Sequence, residues 1–183
     1  RAWRGVPADA ELLRAGVQAA LDHHAEDAAC AGGDLGGHVL RDLDLALVQL
    51  AQSTAAAPVA LRASAPPQPG SAIDARGFGL TREGDPKSTG QFHRADLTVS
   101  APYGVGQLLV WAQAADKKNR GGCQGDSGGP MHDDSGTVIA IISWSTGQNG
   151  AQCGHYTQGI LLGPHRGWID STLAKWGAAA QWR

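Results

Sequence analysis

The chain has 183 residues, a formal net charge of −2, 26 glycines, 9 prolines, 3 cysteines and 7 histidines. That length can bury a sizeable core, and the glycines and prolines point to many turns and short strands. The charge leaves no basic stripe for nucleic acid, and the longest apolar run, Thr137 to Trp144, is too short to span a bilayer as a helix.

From the amino terminus, Asp9 to Ala29 is rich in alanine, leucine and glutamate, with Leu13, Val17, Ala20 and Leu21 at helical spacing and Asp9 as a candidate cap. Propensity alone makes this stretch a helix. Asp44 then enters the apolar run Leu45-Ala46-Leu47-Val48, which reads as a strand, and Asp42 lies two residues earlier on the same face. Ala55 to Gly70 carries Pro58, Pro66, Pro67 and Pro69 and reads as a linker. Beyond it the predicted strands are Ala72 to Gly79, Arg94 to Val99, Gln107 to Ala112, Thr137 to Trp144 and Gly159 to Leu162, with Met131 to Gly136 read as a hairpin turn. A closing helix begins at Pro164, which the first turn tolerates, and gathers Trp168, Ile169, Leu173 and Trp176 on one face.

The segment richest in chemistry is Cys123-Gln124-Gly125-Asp126-Ser127-Gly128-Gly129-Pro130. A nucleophilic serine must expose its hydroxyl to a carbonyl carbon while backbone N–H groups turn towards the oxyanion that forms, and a glycine-rich turn permits both. An ordinary hairpin loop also favours such residues. Gly125 to Gly129 further fits the nucleophile elbow of α/β-hydrolases, but that elbow needs a helix after the serine; here Pro130 and a strand follow. The octapeptide resembles the serine loop of chymotrypsin/trypsin-like serine endopeptidases.

Other segments extend the resemblance over almost the whole chain. Asp44 to Leu50 resembles the strand entry of the triad aspartate, which would orient the catalytic histidine; Asp42 is the rival but lacks the Leu-Ala-Leu continuation in register, and an exposed aspartate at a strand entry is the plainer alternative. Gly77-Phe78-Gly79-Leu80-Thr81 resembles the strand end beneath the serine loop. Ile142-Ser143-Trp144-Ser145 resembles the strand that pairs with substrate backbone, although a tryptophan in an apolar run is ordinarily core. Cys123 and Cys153 occupy the positions of a disulfide between the serine loop and the far wall of the specificity pocket. Cys30 is left over, and no cysteines stand at metal-site spacing.

The resemblance implies an all-β fold, a trypsin-like double β-barrel with a C-terminal helix and an incomplete first barrel. Residues 1–54 would be the remnant of that barrel, 55–70 the linker and 71–183 the second barrel with its helix. It also turns Glu11 to Val17 into a strand, against local helix propensity. Ser127 follows Asp44 by 83 residues (127 − 44), against about 93 in the chymotrypsin template, and a base about 45 residues before Asp44 would fall at or before Arg1. The expectation is therefore a chain without its general base and without the amino-terminal ammonium that would pair with Asp126, and so a loosened oxyanion loop. His23, His24, His38, His93, His132, His155 and His165 all read as surface histidines.

The implied function is endopeptidase cleavage through an acyl-enzyme. Ser127 attacks, Asp44 holds the histidine, and the N–H groups of Gly125 and Ser127 bind the oxyanion. Gln124, Ser143 and Trp144 would contact substrate. Six residues before Ser127, Gly121 would form the pocket floor, with Ser145 and Gly159 as walls; no carboxylate awaits a basic side chain, and Arg120 adjoins the floor. An uncharged side chain before the scissile bond is expected. The resemblance further implies an extracellular monomer acting on peptide or protein, with no metal, cofactor, nucleic acid or membrane partner; alanine and arginine enrichment suggests a bacterial source. A non-catalytic homologue that binds proteins through the same groove is the alternative.

Overall fold

The computed structural model describes residues 37–40, 44–50, 55–63, 65–103, 107–116 and 120–183. The expected helix or strand before Ala29, Asp42 and Cys30 all lie outside these residues. The described elements are β1 (Gly37–Leu40), β2 (Leu45–Val48), β3 (Ala72–Gly77), β4 (His93–Tyr103), β5 (Leu109–Ala114), β6 (Pro130–Asp133), β7 (Val138–Thr146), β8 (Tyr156–Leu161) and helix α1 (Arg166–Lys175).

Strands β3 to β8 close into an antiparallel barrel in the order β3-β4-β5-β8-β7-β6, while β1 and β2 form a separate hairpin. Leu97, Val99, Val110, Ala112, Met131, Ile139 and Ile142 belong to the barrel core. A second core gathers Leu45 and Leu47 of β2, Val138 and Ile141 of β7, Leu162 and Ile169, with Leu61, Trp168, Leu173 and Trp176 packed around it. Strand β7 therefore buries residues on both faces, which explains why its apolar run is continuous rather than alternating. The expected all-β fold with one closing helix is the observed one.

Several boundaries differ from expectation for local reasons. Pro130 to Asp133 is a strand, and only the tight turn at Asp134 to Gly136 reverses the chain, with Gly136 at φ +78°. A proline at the first position of a strand forfeits little, and Met131 and His132 are buried. Strand β5 starts at Leu109 because Gln107 adopts a positive φ of 55°. Pro164 sits in a 3₁₀ turn, Gly163–His165, and α1 follows directly. Within the segment read as a linker, Leu61 is bound: its N–H donates to Gln181 and its carbonyl accepts from Arg183, tying the chain's end to the start of β7.

Candidate active site

Asp126, only 3% exposed, anchors the serine loop. Its Oδ1 accepts the Gly79 N–H at 2.8 Å and its Oδ2 the Cys123 N–H at 2.9 Å. His93 Nε2 approaches both oxygens, at 3.2 and 3.3 Å. The fit explains the Gly77-Phe78-Gly79 segment. A β-carbon on Gly77 would overlap Asp126 Oδ1, and one on Gly79 would stand 2.7 Å from the carboxylate and from the Asp126 backbone nitrogen. The disulfide Cys123–Cys153 is formed, joining the loop to the segment before β8.

Leu80 N–H donates to the Gln124 carbonyl at 2.9 Å. In a trans peptide the N–H points opposite to the C=O, so the Gly125 N–H is turned away from Leu80. Gly125 reaches this geometry at φ +90°, a conformation open to glycine. Among the described residues, the N–H groups of Gly125 and Ser127 and the Ser127 hydroxyl donate to no other group. Ser127 is half-buried, whereas Gln124 and Gly125 are exposed. The expected loosened loop is thus corrected: the buried carboxylate is engaged by His93 at the start of β4 and by the backbone N–H groups of Gly79 and Cys123.

Asp44 stands at the entry to β2, at φ 50°, which aspartate tolerates. Ser143 Oγ donates to its Oδ2 at 3.1 Å across a separation of 99 residues. A register shift between Ile142 and Trp144 makes this contact possible, since it drops Ser143 out of the ladder with β8 and re-aims its side chain. Trp144 is 51% exposed and meets Trp111 edge to face at 5.4 Å.

Around Gly121, its N–H donates to the Gly154 carbonyl at 2.8 Å, Gly154 N–H donates to Gly122, and Gly122 N–H donates to Thr157 Oγ1 at 2.8 Å. The Ser145 hydroxyl donates to the Gln152 carbonyl at 3.3 Å. Gly159 is not brought to this group. It pairs with Val110 and Ile142, and a β-carbon on it would run into Met131, so it faces the barrel interior. Gly154 and Thr157 are neighbours of Gly121 that sequence reading missed; a buried threonine in an apolar strand was the available signal. Arg120 pairs with Asp116 rather than facing Gly121.

The histidines differ most from expectation. His132 and His165 are buried, at 5% and 7% exposure, not at the surface. Burial lowers the pKa of both below the usual 6.5. The hydrogen bond to Asp126, opposed by burial, raises that of His93. His155 packs edge to face on Tyr156 at 4.4 Å. His23 and His24, and the side chain of His38, lie outside the described residues. Among the described residues, no group of three or more His, Cys, Asp or Glu side chains is placed to hold a metal ion.

The Trypsin family model matches residues 23–160. Comparison with curated proteins gives no match. Among solved structures, the chain is similar to neuropsin, a serine protease expressed in the limbic system of mouse brain, at 23% identity and a TM-score of 0.59, covering 70% of this chain and 61% of that one. It is similar to kallikrein-related peptidase 10 at 22% identity and a TM-score of 0.56, covering 73% and 66%. A mutant of human heparin binding protein gives 24% identity and a TM-score of 0.55, covering 72% and 58%. The chain thus spans less than two thirds of the length of these structures, and at such identities the likeness is one of fold. With the family model matched over most of its length, the chain belongs to the trypsin family.

Proposed function

We propose that the protein is a serine endopeptidase in which Ser127 is the nucleophile, Asp44 orients the base histidine, and the N–H groups of Gly125 and Ser127 stabilise the tetrahedral oxyanion. The observation that supports this most is the Ser143–Asp44 hydrogen bond: it ties the aspartate to the strand beside the serine loop although the two are far apart in sequence. Ser127 takes up the carbonyl carbon of the scissile peptide, the histidine carries the proton to the leaving amine, and water repeats the sequence to release the acid. In this reading residues 1–54 belong to a first barrel, 55–70 join it to the second, and 71–183 form the second barrel with α1.

Gln124, Ser143, Trp144 and Ser145 would contact peptide, and a glycine rather than a carboxylate at position 121 favours an uncharged side chain before the scissile bond. The disulfide supports an extracellular, oxidising setting. Among the described residues no helix is long and apolar enough to cross a membrane. A single copy carries all the groups invoked in the second barrel. The test is hydrolysis of matched peptides ending in alanine, leucine or arginine before the cleaved bond. Cleavage after the uncharged residues, abolished by Ser127→Ala, supports the reading; preferred cleavage after arginine would overturn the specificity. A folded protein that binds these peptides without cutting them would favour the non-catalytic homologue.

A further inference from the structure

His93 lies on β4 opposite Gly77 of β3, where the Asp126 carboxylate occupies the space a side chain would take. Both of its ring nitrogens face acceptors. Nε2 meets the Asp126 carboxylate and Nδ1 lies 3.2 Å from the Gln91 carbonyl oxygen. Neither oxygen can donate, so both contacts are satisfied together only by an imidazolium carrying a proton on each nitrogen. The ring is 24% exposed and Asp126 only 3%, so this cation meets a carboxylate that would otherwise be buried without a counter-charge.

Other charged groups on the elements packed around His93 are engaged elsewhere. Arg76 on β3 binds Asp74, Arg94 on β4 binds Asp96 and Asp74, and His132 on β6 lies 3.5 Å from Asp74. Among the described residues, Asp126 is the acidic partner of His93.

We propose that His93 is a positioning residue: as the internal counter-ion of Asp126 it holds the serine loop in the conformation that turns the Gly125 N–H outward. The inference rests on the endopeptidase reading only for its catalytic consequence, because the loop it orders carries Gly125 and Ser127. The raised pKa of His93 gives the device a direction in pH. Its contribution is fully present below 6.5, the value in the unfolded chain, and is lost as pH rises through the higher folded value. Alkaline conditions should therefore release the loop while the barrel stays folded.

The experiment follows amide-exchange protection of Gly79 and Cys123, corrected for intrinsic rates, across pH in the wild-type chain, His93→Gln and His93→Lys. Ring-nitrogen NMR of His93 is recorded on the same samples. Expected are two protonated ring nitrogens below 6.5, then a fall in protection of roughly ten- to a hundredfold as His93 titrates, the loss of one charge-assisted hydrogen bond. His93→Gln should be low and flat. His93→Lys should be high and flat to about pH 9, below the usual lysine value of about 10.4. A single protonated nitrogen below 6.5, or wild-type protection that is flat and matched by His93→Gln, would overturn the proposal. Fluorophosphonate labelling of Ser127 is read in parallel: if protection follows the expected pattern and Ser127 never labels, the endopeptidase reading fails and the counter-ion role stands.

Discussion

Substituting Gly79 by alanine should be among the most damaging single-carbon changes in the protein. The new β-carbon would lie 2.7 Å from three Asp126 atoms, the carboxyl carbon, Oδ1 and the backbone nitrogen, where ordinary carbon contacts lie at about 3.5–4.0 Å. Gly79 is not among the residues at positive φ, so the cost is steric rather than conformational. Overpacking of this kind costs about 1–3 kcal/mol. Pushing Asp126 away also breaks the Gly79 N–H bond to its carboxylate, worth about 1.5–3 kcal/mol. The sum, about 2.5–6 kcal/mol, is a large part of the roughly 5–15 kcal/mol that stabilises a domain. In urea the midpoint should fall by about 1 M or more at a slope near 2 kcal/mol/M. Gly167→Ala is the control, since a β-carbon there meets open space in α1 and should stabilise by up to about 1 kcal/mol. If Gly79→Ala lies within about 0.5 kcal/mol of wild type while the control behaves, the anchoring of the loop through Asp126 is wrong.

Replacing Cys153 by alanine opens a loop of 30 residues and should cost about 3.6 kcal/mol on the chain-entropy relation, read by urea denaturation with and without reductant; reductant should not lower the variant further. Asp44→Asn should cut catalytic turnover by about 10⁴ while leaving Ser143 a partner, so kinetics and a melting curve separate its chemical role from its structural one. Burial depresses the pKa of His132 and His165, so below 6.5 the unfolded chain takes up protons that the folded one refuses. Stability should therefore fall as pH drops from 6.5 towards the folded values, and His165→Asn should reduce that slope; an unchanged slope would show that His165 is accessible.

The serine loop was legible in the sequence because its chemistry is compressed into eight consecutive residues, and the glycines at 77 and 79 through the resemblance of their Gly-Phe-Gly string; the reason for them, that a side chain there would strike Asp126, is a long-range fact of the structure. Barrel strands with a long apolar signature, such as β7, were legible for the same reason of local concentration. Strand β6 was not: its four residues open with proline, and its pairing with β3 and β7 is a long-range fact. Nor was the role of His93, since 33 residues separate it from Asp126 and only the closure of β3 against β4 brings them together. Gly159 was misjudged because counting along a strand does not say what each residue meets: Thr157, on the same face of β8, reaches Gly122, whereas a side chain at Gly159 would meet Met131 in the barrel core. Isolated histidines show the same limit, because burial at His132 and His165 is set by neighbours on other strands and on α1.

The central claim is that Ser127 is an activated nucleophile, and intact-mass spectrometry after exposure to a fluorophosphonate tests it most directly. The measurement is made on the protein with Ser127→Ala alongside. The account predicts one adduct on the wild-type protein and none on Ser127→Ala. A folded wild-type protein that takes no label, or an adduct that survives Ser127→Ala, would contradict it.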